Sequence, residues 1–170
     1  MSGTFSRNTP VGAIDPLGLI TWPSRYFEIT GPFGEQRGRG VHTGTDIRNP
    51  RGEPVFATES GTVISVSHST RGGNQIVIQN DDGSISGSAH TAPAPGTAAG
   101  VRVREGQTIG VSDGSGTTGA GTPVRPHLHQ TYRLCRNCPK TDLYEQFRKE
   151  QQRERRQLDM ERQRLGERKS

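Results

Sequence analysis

The chain has 170 residues, of which 28% are hydrophobic and 23 are glycine. This length and composition predict one domain with a modest core and many turns, and they disfavour an extended helical domain over the middle of the sequence. The formal net charge of +5 favours contact with polyanions such as wall teichoic acid, lipopolysaccharide or nucleic acid, and a solvated basic surface is the alternative.

The N-terminal segment, residues 1–25, is expected to form an arm, because its first twenty residues hold few periodic hydrophobics and several prolines and glycines. It does not match a signal peptide: Arg7 is the only early basic residue, and Asp15 and Pro16 interrupt the apolar stretch at 11–20. No apolar run in the sequence is long enough to span a bilayer. The prediction is a chain without a membrane span.

Short strands are predicted over the middle of the chain. Hydrophobic and polar residues alternate over 62–66, and residues 75–79 form a compact β-branched run. The Asp-Asp-Gly sequence at 81–83 predicts a hairpin turn into a further strand at 84–90, since glycine and aspartate tolerate positive φ. This hairpin would place His90 near the end of its second strand.

A second strand pair is predicted further along the chain. Residues 101–103 and 108–111 have strand composition, and the intervening 104–107 has the composition of a hairpin turn. The following loop, 112–125, is dominated by glycine, serine and threonine. It is expected to be either a flexible wall of a substrate groove or a disordered connection.

The composition changes at residue 141, and the segment 141–170 is predicted to be a charged helical tail. Asp142 is the expected N-cap. A thin apolar stripe is formed by Leu143, Phe147, Leu158 and Leu165, which is too sparse to indicate a coiled coil. Residues 145–170 hold nine basic and six acidic side chains, an excess of 9 − 6 = 3. Such a helix would bind an anionic polymer or a partner helix, or would remain a solvated tail.

Cys135 and Cys138 form a single Cys-x-x-Cys pair. Two thiols supply only half of a structural zinc site, so the alternatives are a short-range disulfide and two reduced cysteines. The aromatic residues Trp22, Tyr26 and Phe27 are expected to pack at the edge of the domain, with substrate binding as the less favoured alternative.

Three short segments hold four of the five histidines: His42-Thr-Gly-Thr-Asp46, Ser88-Ala-His90 and Pro126-His127-Leu-His129. Histidine nitrogens and carboxylate oxygens are zinc ligands, and a catalytic zinc takes three protein ligands. In a strand, His127 and His129 project from the same face. Gly44 leaves room for a bend or for a close approach. The fifth histidine, His68, has no motif around it and is expected at a partly exposed strand end.

These segments resemble the LytM/lysostaphin-type zinc metallopeptidases, the M23 peptidase family. The matching segments, in the family's order, are residues 31–34, 42–57, 61–63, 106–110 and 126–129. The resemblance covers residues 31–134 and implies a compact antiparallel β-sheet metallopeptidase domain, placed here at 26–140. It implies one catalytic zinc ion, held by His42, Asp46 and His129. It also implies two catalytic histidines, His90 and His127.

The sequence departs from the family at positions next to this motif set. Members often have a tyrosine where this chain has Ser88, and a second histidine where it has Thr43. Phe-Glu is common where the chain has Gln130 and Thr131. None of these departures removes a ligand, but they bear on the shape of the substrate groove and on the rate.

The resemblance implies an endopeptidase that cuts peptide cross-bridges or stems in bacterial peptidoglycan. No His-Glu-x-x-His stretch supplies a glutamate base, so His90 and His127 are expected to transfer the proton and stabilise the oxyanion. The sequence does not assign the two roles. Activity should fall as the pH drops through the histidine range.

Two other functions are compatible with the sequence. One is a non-catalytic LytM-like domain that binds wall peptides or activates another hydrolase; in that class the ligands are often lost, whereas here they are complete. The other is a structural virion component docked through its tail. In the absence of a signal peptide, the expected location is a phage virion, or the cell wall or periplasm after release by a non-classical route. Virion or secretion-machine proteins would be partners through the arm or tail, and nucleic acid is not favoured.

Overall fold

The computed structural model describes residues 20–38 and 40–167, and short strands dominate them. In chain order the elements are β1 (Ile29–Gly31), β2 (Gln36–Arg37), β3 (Gly40–Val41), β4 (Thr45–Ile47), β5 (Pro54–Phe56), β6 (Gly61–Ser69), β7 (Gly73–Asn80), β8 (Ile85–Ala89), β9 (Thr91–Pro93), β10 (Arg102–Val103), β11 (Thr108–Ser112), β12 (Leu128–Arg133), β13 (Lys140–Thr141) and α1 (Leu143–Glu167). The expected mainly β fold with a C-terminal helical tail is confirmed.

The largest sheet has eight strands in the order β1-β4-β12-β8-β7-β6-β10, and β13 pairs with the end of β12. One edge of β12 pairs with β8 along residues 129–133. Its other edge pairs first with β4, along 128–130, and then with β13, along 132–133. This pairing brings together chain segments that are up to about eighty residues apart in sequence.

The hydrophobic core lies between the large sheet and a three-stranded sheet with the order β5-β11-β9. Its buried side chains are Trp22, Ile47, Val55, Ala57, Val63, Ile76, Ile78, Val103, Ile109 and Leu128. Ile76, Ile78 and Leu128 come from alternate positions of β7 and β12, so the other face of these strands points away from the core. The functional side chains lie on that second face.

The strands predicted at 62–66 and 75–79 are confirmed within β6 and β7, and the strand predicted at 84–90 contains β8. The turn between the last two contains Gly83 with a φ of 89°. His90 follows β8 directly, as expected.

The prediction that residues 101–103 and 108–111, which contain most of β10 and β11, pair as a hairpin is wrong, although the turn between them exists. β10 pairs with β6 in the large sheet, whereas β11 pairs with β5 and β9 in the small one. The turn instead forms hydrogen bonds with the segment before β6: Gly106 N–H donates to Ala57 O (2.8 Å), and Ala57 N–H donates to Gln107 O (2.9 Å). These bonds direct the chain from one sheet to the other.

Most of the expected N-terminal arm, residues 1–19, lies outside the described residues. Ile20 is only 3% exposed and Trp22 only 5%, so the core includes residues of the interval 20–25. Trp22 therefore lies deeper than the domain edge at which it was expected. Its ring stacks on Phe27 at a centroid distance of 5.8 Å.

Helix α1 begins where the sequence predicts. Asp142 caps it, since Oδ1 accepts the N–H of Tyr144 at 2.9 Å. Leu143 is fully buried, and the Phe147 ring lies 5.3 Å from that of Trp22. Beyond this first part the apolar stripe does not pack: Leu158 and Leu165 are 49% and 50% exposed. In the described part of the chain, no helix is both long and apolar enough to cross a bilayer.

Cys135 and Cys138 are joined by a disulfide in the turn between β12 and β13. The sequence left a disulfide and two reduced cysteines as alternatives, and the structure contains the disulfide. The pair therefore provides no thiolate ligands for a metal.

A carboxyl group is buried behind the large sheet. Glu59 accepts hydrogen bonds from the hydroxyls of Tyr132 (2.9 Å) and Ser84 (2.8 Å). Burial raises the pKa of Glu59 to about 7, and the nearby carboxylates of Asp82 and Glu150 add to this. Glu59 is therefore largely protonated in the folded chain at slightly acidic pH, where it would be ionised in the unfolded chain.

This difference predicts a pH-dependent effect of Glu59→Gln. The pKa of Glu59 is higher in the folded chain than its value of 4.5 in the unfolded chain, so its ionisation destabilises the folded state. The contribution of Glu59 to stability is therefore full below about pH 4.5 and is lost as the pH rises through about 7. We expect Glu59→Gln to raise the free energy of unfolding by about 1–3 kcal/mol at pH 8 and by much less at pH 5. Urea unfolding at both pH values measures this. Glu161→Gln, on the exposed part of helix α1, is the control and should leave the free energy of unfolding almost unchanged. An equal gain by Glu59→Gln at both pH values would contradict the prediction.

Candidate active site

The first segment of the site lies between β3 and β4 and holds the His42 side chain in a single orientation. The His42 N–H donates to Glu35 O at 2.8 Å. The His42 Nδ1–H donates to the carbonyl of Pro32, also at 2.8 Å. This bond fixes the tautomer, so Nε2 has a free lone pair that points at Asp46.

Strand pairing brings the second and third candidate ligands together. In the register of β4 and β12, Asp46 lies directly opposite His129. Asp46 Oδ1 is 2.7 Å from His129 Nδ1 and 3.1 Å from His42 Nε2, and the two nitrogens are 3.1 Å apart. Three ligand atoms from residues 42, 46 and 129 thus converge on one point.

The donor set fits a zinc ion. Two nitrogens and one oxygen, each about 2.1 Å from a tetrahedral ion, would be about 3.4 Å apart. The observed separations of 2.7–3.1 Å are slightly shorter, so a small outward movement would accommodate the ion. His42 and Asp46 are also buried, at 6% and 7% exposure, where a charged group requires a partner.

Gly44 is required by the close approach of His129. A Cβ at this position would lie 2.5 Å from His129 Nε2 and 2.8 Å from the carbonyl oxygen of Gln130. The backbone carbonyl has no freedom to move aside, so a side chain here would displace the imidazole. The room that the sequence predicted at Gly44 is occupied by a candidate ligand.

We therefore expect Gly44→Ala to weaken metal binding by about ten- to hundredfold, as loss of a ligand's orientation does, and to destabilise the fold by about 1–3 kcal/mol. Zinc titration and urea unfolding measure the two effects. Gly40→Ala is the matched control, because its added Cβ has no atom of the described residues within 4 Å apart from its chain neighbours. Equal behaviour of the two variants would contradict the steric argument.

Two further imidazoles lie beside the three ligands. The His90 and His127 rings are 4.6 Å apart, centroid to centroid. His90 Nδ1–H donates to Ser115 O at 2.6 Å, and His127 Nδ1–H donates to Arg125 O at 2.7 Å. In both rings Nδ1 is therefore occupied and Nε2 is the nitrogen left for proton transfer; in His127 this nitrogen lies 3.5 Å from Asp46 Oδ1.

His90 has an unusual backbone conformation. Its φ of 56° is the only positive value of a non-glycine residue in the described part of the chain. Bonds on both sides stabilise it: His90 N–H donates to Gly72 O (2.9 Å), and His90 O accepts from Asp113 N–H (3.0 Å). Strained backbone of this kind persists where the surroundings fix it, and it is frequent at functional sites.

The site's charges favour an ionised Asp46. Burial by itself raises the pKa of Asp46, but hydrogen bonds from His127 and His129 and their charges hold it well below its usual range. Burial lowers the pKa of His90. For His127 burial also acts downwards, but its bonds to Asp46 and Arg125 O raise its pKa overall. The cluster is thus a carboxylate surrounded by imidazoles.

Sequence analysis missed Arg37, on β2. Its Nη1 lies 2.9 Å from Asp46 Oδ2, and its Nε donates to Glu35 Oε2 at 2.7 Å. Gly31 makes room for it, since a Cβ there would collide with both the guanidinium and Asp46 Oδ2. In the sequence, Gly31 was the signal of a close approach at this position, but a glycine does not indicate which side chain fills the space.

The departures from the family pattern have separate structural consequences. Ser88 Oγ donates to Gln130 Oε1 at 2.8 Å, and both residues are buried on the core side of the sheet. They therefore partner each other and do not line the face that carries His129. Thr43 is exposed, and its Oγ1 accepts a hydrogen bond from Lys140 Nζ at 3.3 Å.

All five residues singled out by the sequence lie in one cluster, and His68 lies elsewhere. His68 is exposed on β6, with Nδ1 3.1 Å from Asn74 Oδ1. The loop after β11 closes one side of the cluster: Ser115 accepts from His90 and, through Oγ, from Asn74 N–H. The roles assigned to the five residues remain predictions.

Known proteins share parts of this sequence and this fold. The sequence profile of peptidase family M23 matches residues 40–142, more than half of the chain. Peptidoglycan DD-endopeptidase ShyC of Vibrio cholerae is 32% identical over 110 residues, 65% of this chain and 23% of ShyC. The crystal structure of a zinc-containing peptidase from Vibrio cholerae matches this fold with a TM-score of 0.60 at 30% identity. The match covers 69% of this chain and 37% of the Vibrio peptidase chain.

A third similar protein is the antimicrobial peptidase lysostaphin from Staphylococcus simulans, with a TM-score of 0.62 at 26% identity. The match covers 74% of this chain and 50% of lysostaphin. The chain therefore spans between 23% and 50% of the length of these three proteins. By the profile match and by its fold, the chain belongs to peptidase family M23.

Proposed function

We propose that the chain is a zinc-dependent endopeptidase that hydrolyses peptide bonds in the cross-bridges or stems of bacterial peptidoglycan. The observation that carries the proposal is the convergence of His42 Nε2, Asp46 Oδ1 and His129 Nδ1, with His90 and His127 beside them. The name of ShyC, a peptidoglycan DD-endopeptidase, supports the choice of substrate.

The three converging atoms would hold the zinc ion. Bound zinc supplies a Lewis acid that polarises a carbonyl and lowers the pKa of water. The chain's part is to orient the ligands: Pro32 O fixes the His42 ring, and the Arg37 guanidinium holds Asp46 Oδ2. The carboxylate is then presented through Oδ1 alone.

His90 and His127 would transfer the proton. Each presents Nε2, because carbonyl groups occupy both Nδ1 positions. A neutral Nε2 accepts a proton, and a protonated one donates a hydrogen bond to a developing oxyanion. Two imidazoles with their rings 4.6 Å apart are suited to these two tasks on one substrate.

The proposal is tested by digesting defined peptidoglycan with the zinc-loaded chain and identifying the fragments by mass spectrometry. We expect new peptide amino ends from the wild type and at least about a thousandfold slower release from His129→Ala, since loss of a metal's Lewis acidity removes several kcal/mol of stabilisation. The fragments also identify the bond that is cut.

His68→Ala is the matched control, because His68 is exposed and lies outside the cluster. It should digest like the wild type. An inactive zinc-loaded wild type, or an active His129→Ala variant, would refute the proposal.

A further inference from the structure

The site face of the large sheet, defined as the face to which His129 and Asp46 point, continues beyond the metal cluster. Along β12, Leu128, Gln130 and Tyr132 are buried, and His129, Thr131 and Arg133 are half-exposed on the site face. Arg133 is four residues from His129, about 13 Å along the strand at ~3.3 Å per residue. It therefore lies on the same side as the candidate ligands and at a fixed distance from them.

Arg133 has another cation directly opposite it. In the pairing of β12 with β13, Arg133 lies opposite Lys140. Arg133 Nη1 donates to Cys138 O at 2.7 Å, and Lys140 Nζ donates to Thr43 Oγ1 at 3.3 Å. Thr43 follows His42 in the chain, so this contact holds the ammonium beside the segment that carries the first ligand.

Neither of these cations forms a salt bridge with a carboxylate of the described residues. By contrast, at least one carboxylate contacts each of three other cations: Arg37, Arg48 and Arg102. Like charges opposite each other across two strands are destabilising. Burial of the half-buried Lys140, followed by the charge of Arg133, lowers the pKa of its ammonium. An anion placed between the two side chains would weaken the repulsion between the cations and oppose the lowering of the pKa of the Lys140 ammonium.

The strip between the cluster and this pair is lined by small side chains. Ala89 lies opposite His129, and Gly87 lies opposite Thr131. A Cβ on Gly87 would lie 2.5 Å from Thr131 Oγ1. The first bulky β8 side chain on this face is Ile85, which lies opposite Arg133. An extended peptide about four residues long would therefore reach from His129 to Arg133 over small side chains.

We propose that Arg133 and Lys140 form a subsite for a free carboxylate of the peptide that is cleaved at the metal cluster. The carboxylate would lie about four extended residues, ~13 Å, from the scissile bond. The inference rests on the proposed function. It adds a preference for anionic peptides, with a planar guanidinium and an ammonium as the recognising groups.

The test compares wall peptides that carry free carboxylates with the same peptides amidated at one carboxyl group at a time. Binding is measured by calorimetry on the full chain, and cleavage is measured in parallel with zinc. We expect the wild type to bind about tenfold more weakly when the recognised carboxyl is amidated, as for one charge-assisted hydrogen bond. Amidating a terminal and an internal carboxyl separately identifies which of them is recognised.

Three variants test the two residues. Lys140→Met and Arg133→Met should each lose about tenfold in affinity for the free carboxylate and almost nothing for the amidated peptide. Lys140→Glu should reverse the preference. Arg104→Met, in the turn after β10 at the far edge of the sheet, is the control and should behave like the wild type with both peptides.

Each outcome bears on one proposal. Equal affinity of the wild type for free and amidated peptides, including no binding of either, overturns the subsite. Equal losses with both peptides in the methionine variants also overturn it. Discrimination in binding without any cleavage supports the subsite and refutes the proposed endopeptidase function instead.

Discussion

Replacing Asp46 with alanine should remove the metal and, with it, activity and part of the stability. Asp46 Oδ1 contacts both candidate histidine ligands, and it is the only anionic group of the three. Loss of a residue that only orients a metal ligand lowers metal affinity by up to about a hundredfold. Asp46 is itself a candidate ligand, so we expect Asp46→Ala to lower zinc affinity by more than about a hundredfold. Peptidoglycan hydrolysis should fall by at least about a thousandfold.

The same variant should lose its thermal response to zinc. A ligand that binds only the folded chain stabilises it by about 2.7 kcal/mol at a hundredfold excess over its dissociation constant. We expect the wild type to show this as a higher Tm, and Asp46→Ala to show none. Calorimetry with and without zinc, together with metal analysis of the dialysed protein, measures both.

Asp81→Ala is the control for Asp46→Ala. Asp81 is an exposed aspartate that pairs with Arg102 at the opposite side of the sheet. It should keep the metal, the activity and the zinc-dependent rise in Tm. Retention of stoichiometric zinc by Asp46→Ala would contradict the assignment of Asp46 as a ligand.

Local patterns in the sequence predicted the features that depend on neighbouring residues. Alternation predicts β6, because side chains two apart share a face of a strand, and a β-branched run predicts β7. The Asp-Asp-Gly turn and the Asp142 cap are likewise set within a few residues. The spacing of His42 and Asp46, and of His127 and His129, made a metal cluster recognisable because each pair is also local.

The features that were not predicted depend on distant contacts. The separation of β10 and β11 into different sheets follows from hydrogen bonds with the segment before β6, which no local pattern encodes. Arg37 reaches Asp46 only because β2, β1 and β4 are folded together. The burial of Trp22 requires α1, which begins 121 residues later, to pack against it.

The site combines both kinds of information. The sequence supplies the chemistry of the five residues, but the Nδ1 bonds of His42, His90 and His127 come from the carbonyls of Pro32, Ser115 and Arg125. These bonds determine which ring nitrogen faces the cluster. A list of histidines does not determine their tautomers, and the chemistry depends on them.

The second large effect is expected at the two outer histidines, where activity should be lost while the metal is kept. His127 Nε2 lies 3.5 Å from Asp46 Oδ1, outside the three converging atoms. We expect His127→Ala to retain one zinc per chain and to lose about 10²–10⁴-fold in kcat, the range for removing a general acid or base.

His90 calls for a different substitution, because its φ of 56° disfavours alanine. Asparagine tolerates this conformation, and its amide N–H can still donate to Ser115 O, so His90→Asn tests the imidazole with less disturbance of the backbone. The zinc content and the loss of kcat should resemble those of His127→Ala.

The pH profiles of these two variants should separate their roles. Removing the proton acceptor should abolish the fall of kcat towards acidic pH, since that fall reports protonation of the accepting nitrogen. Removing the oxyanion donor should lower kcat at every pH and leave the acidic limb in place. Stopped digests of a defined muropeptide between pH 5 and 8, with metal content checked at each pH, measure both. If both variants lose their zinc, the division of the five residues into three ligands and two proton-transfer groups is wrong.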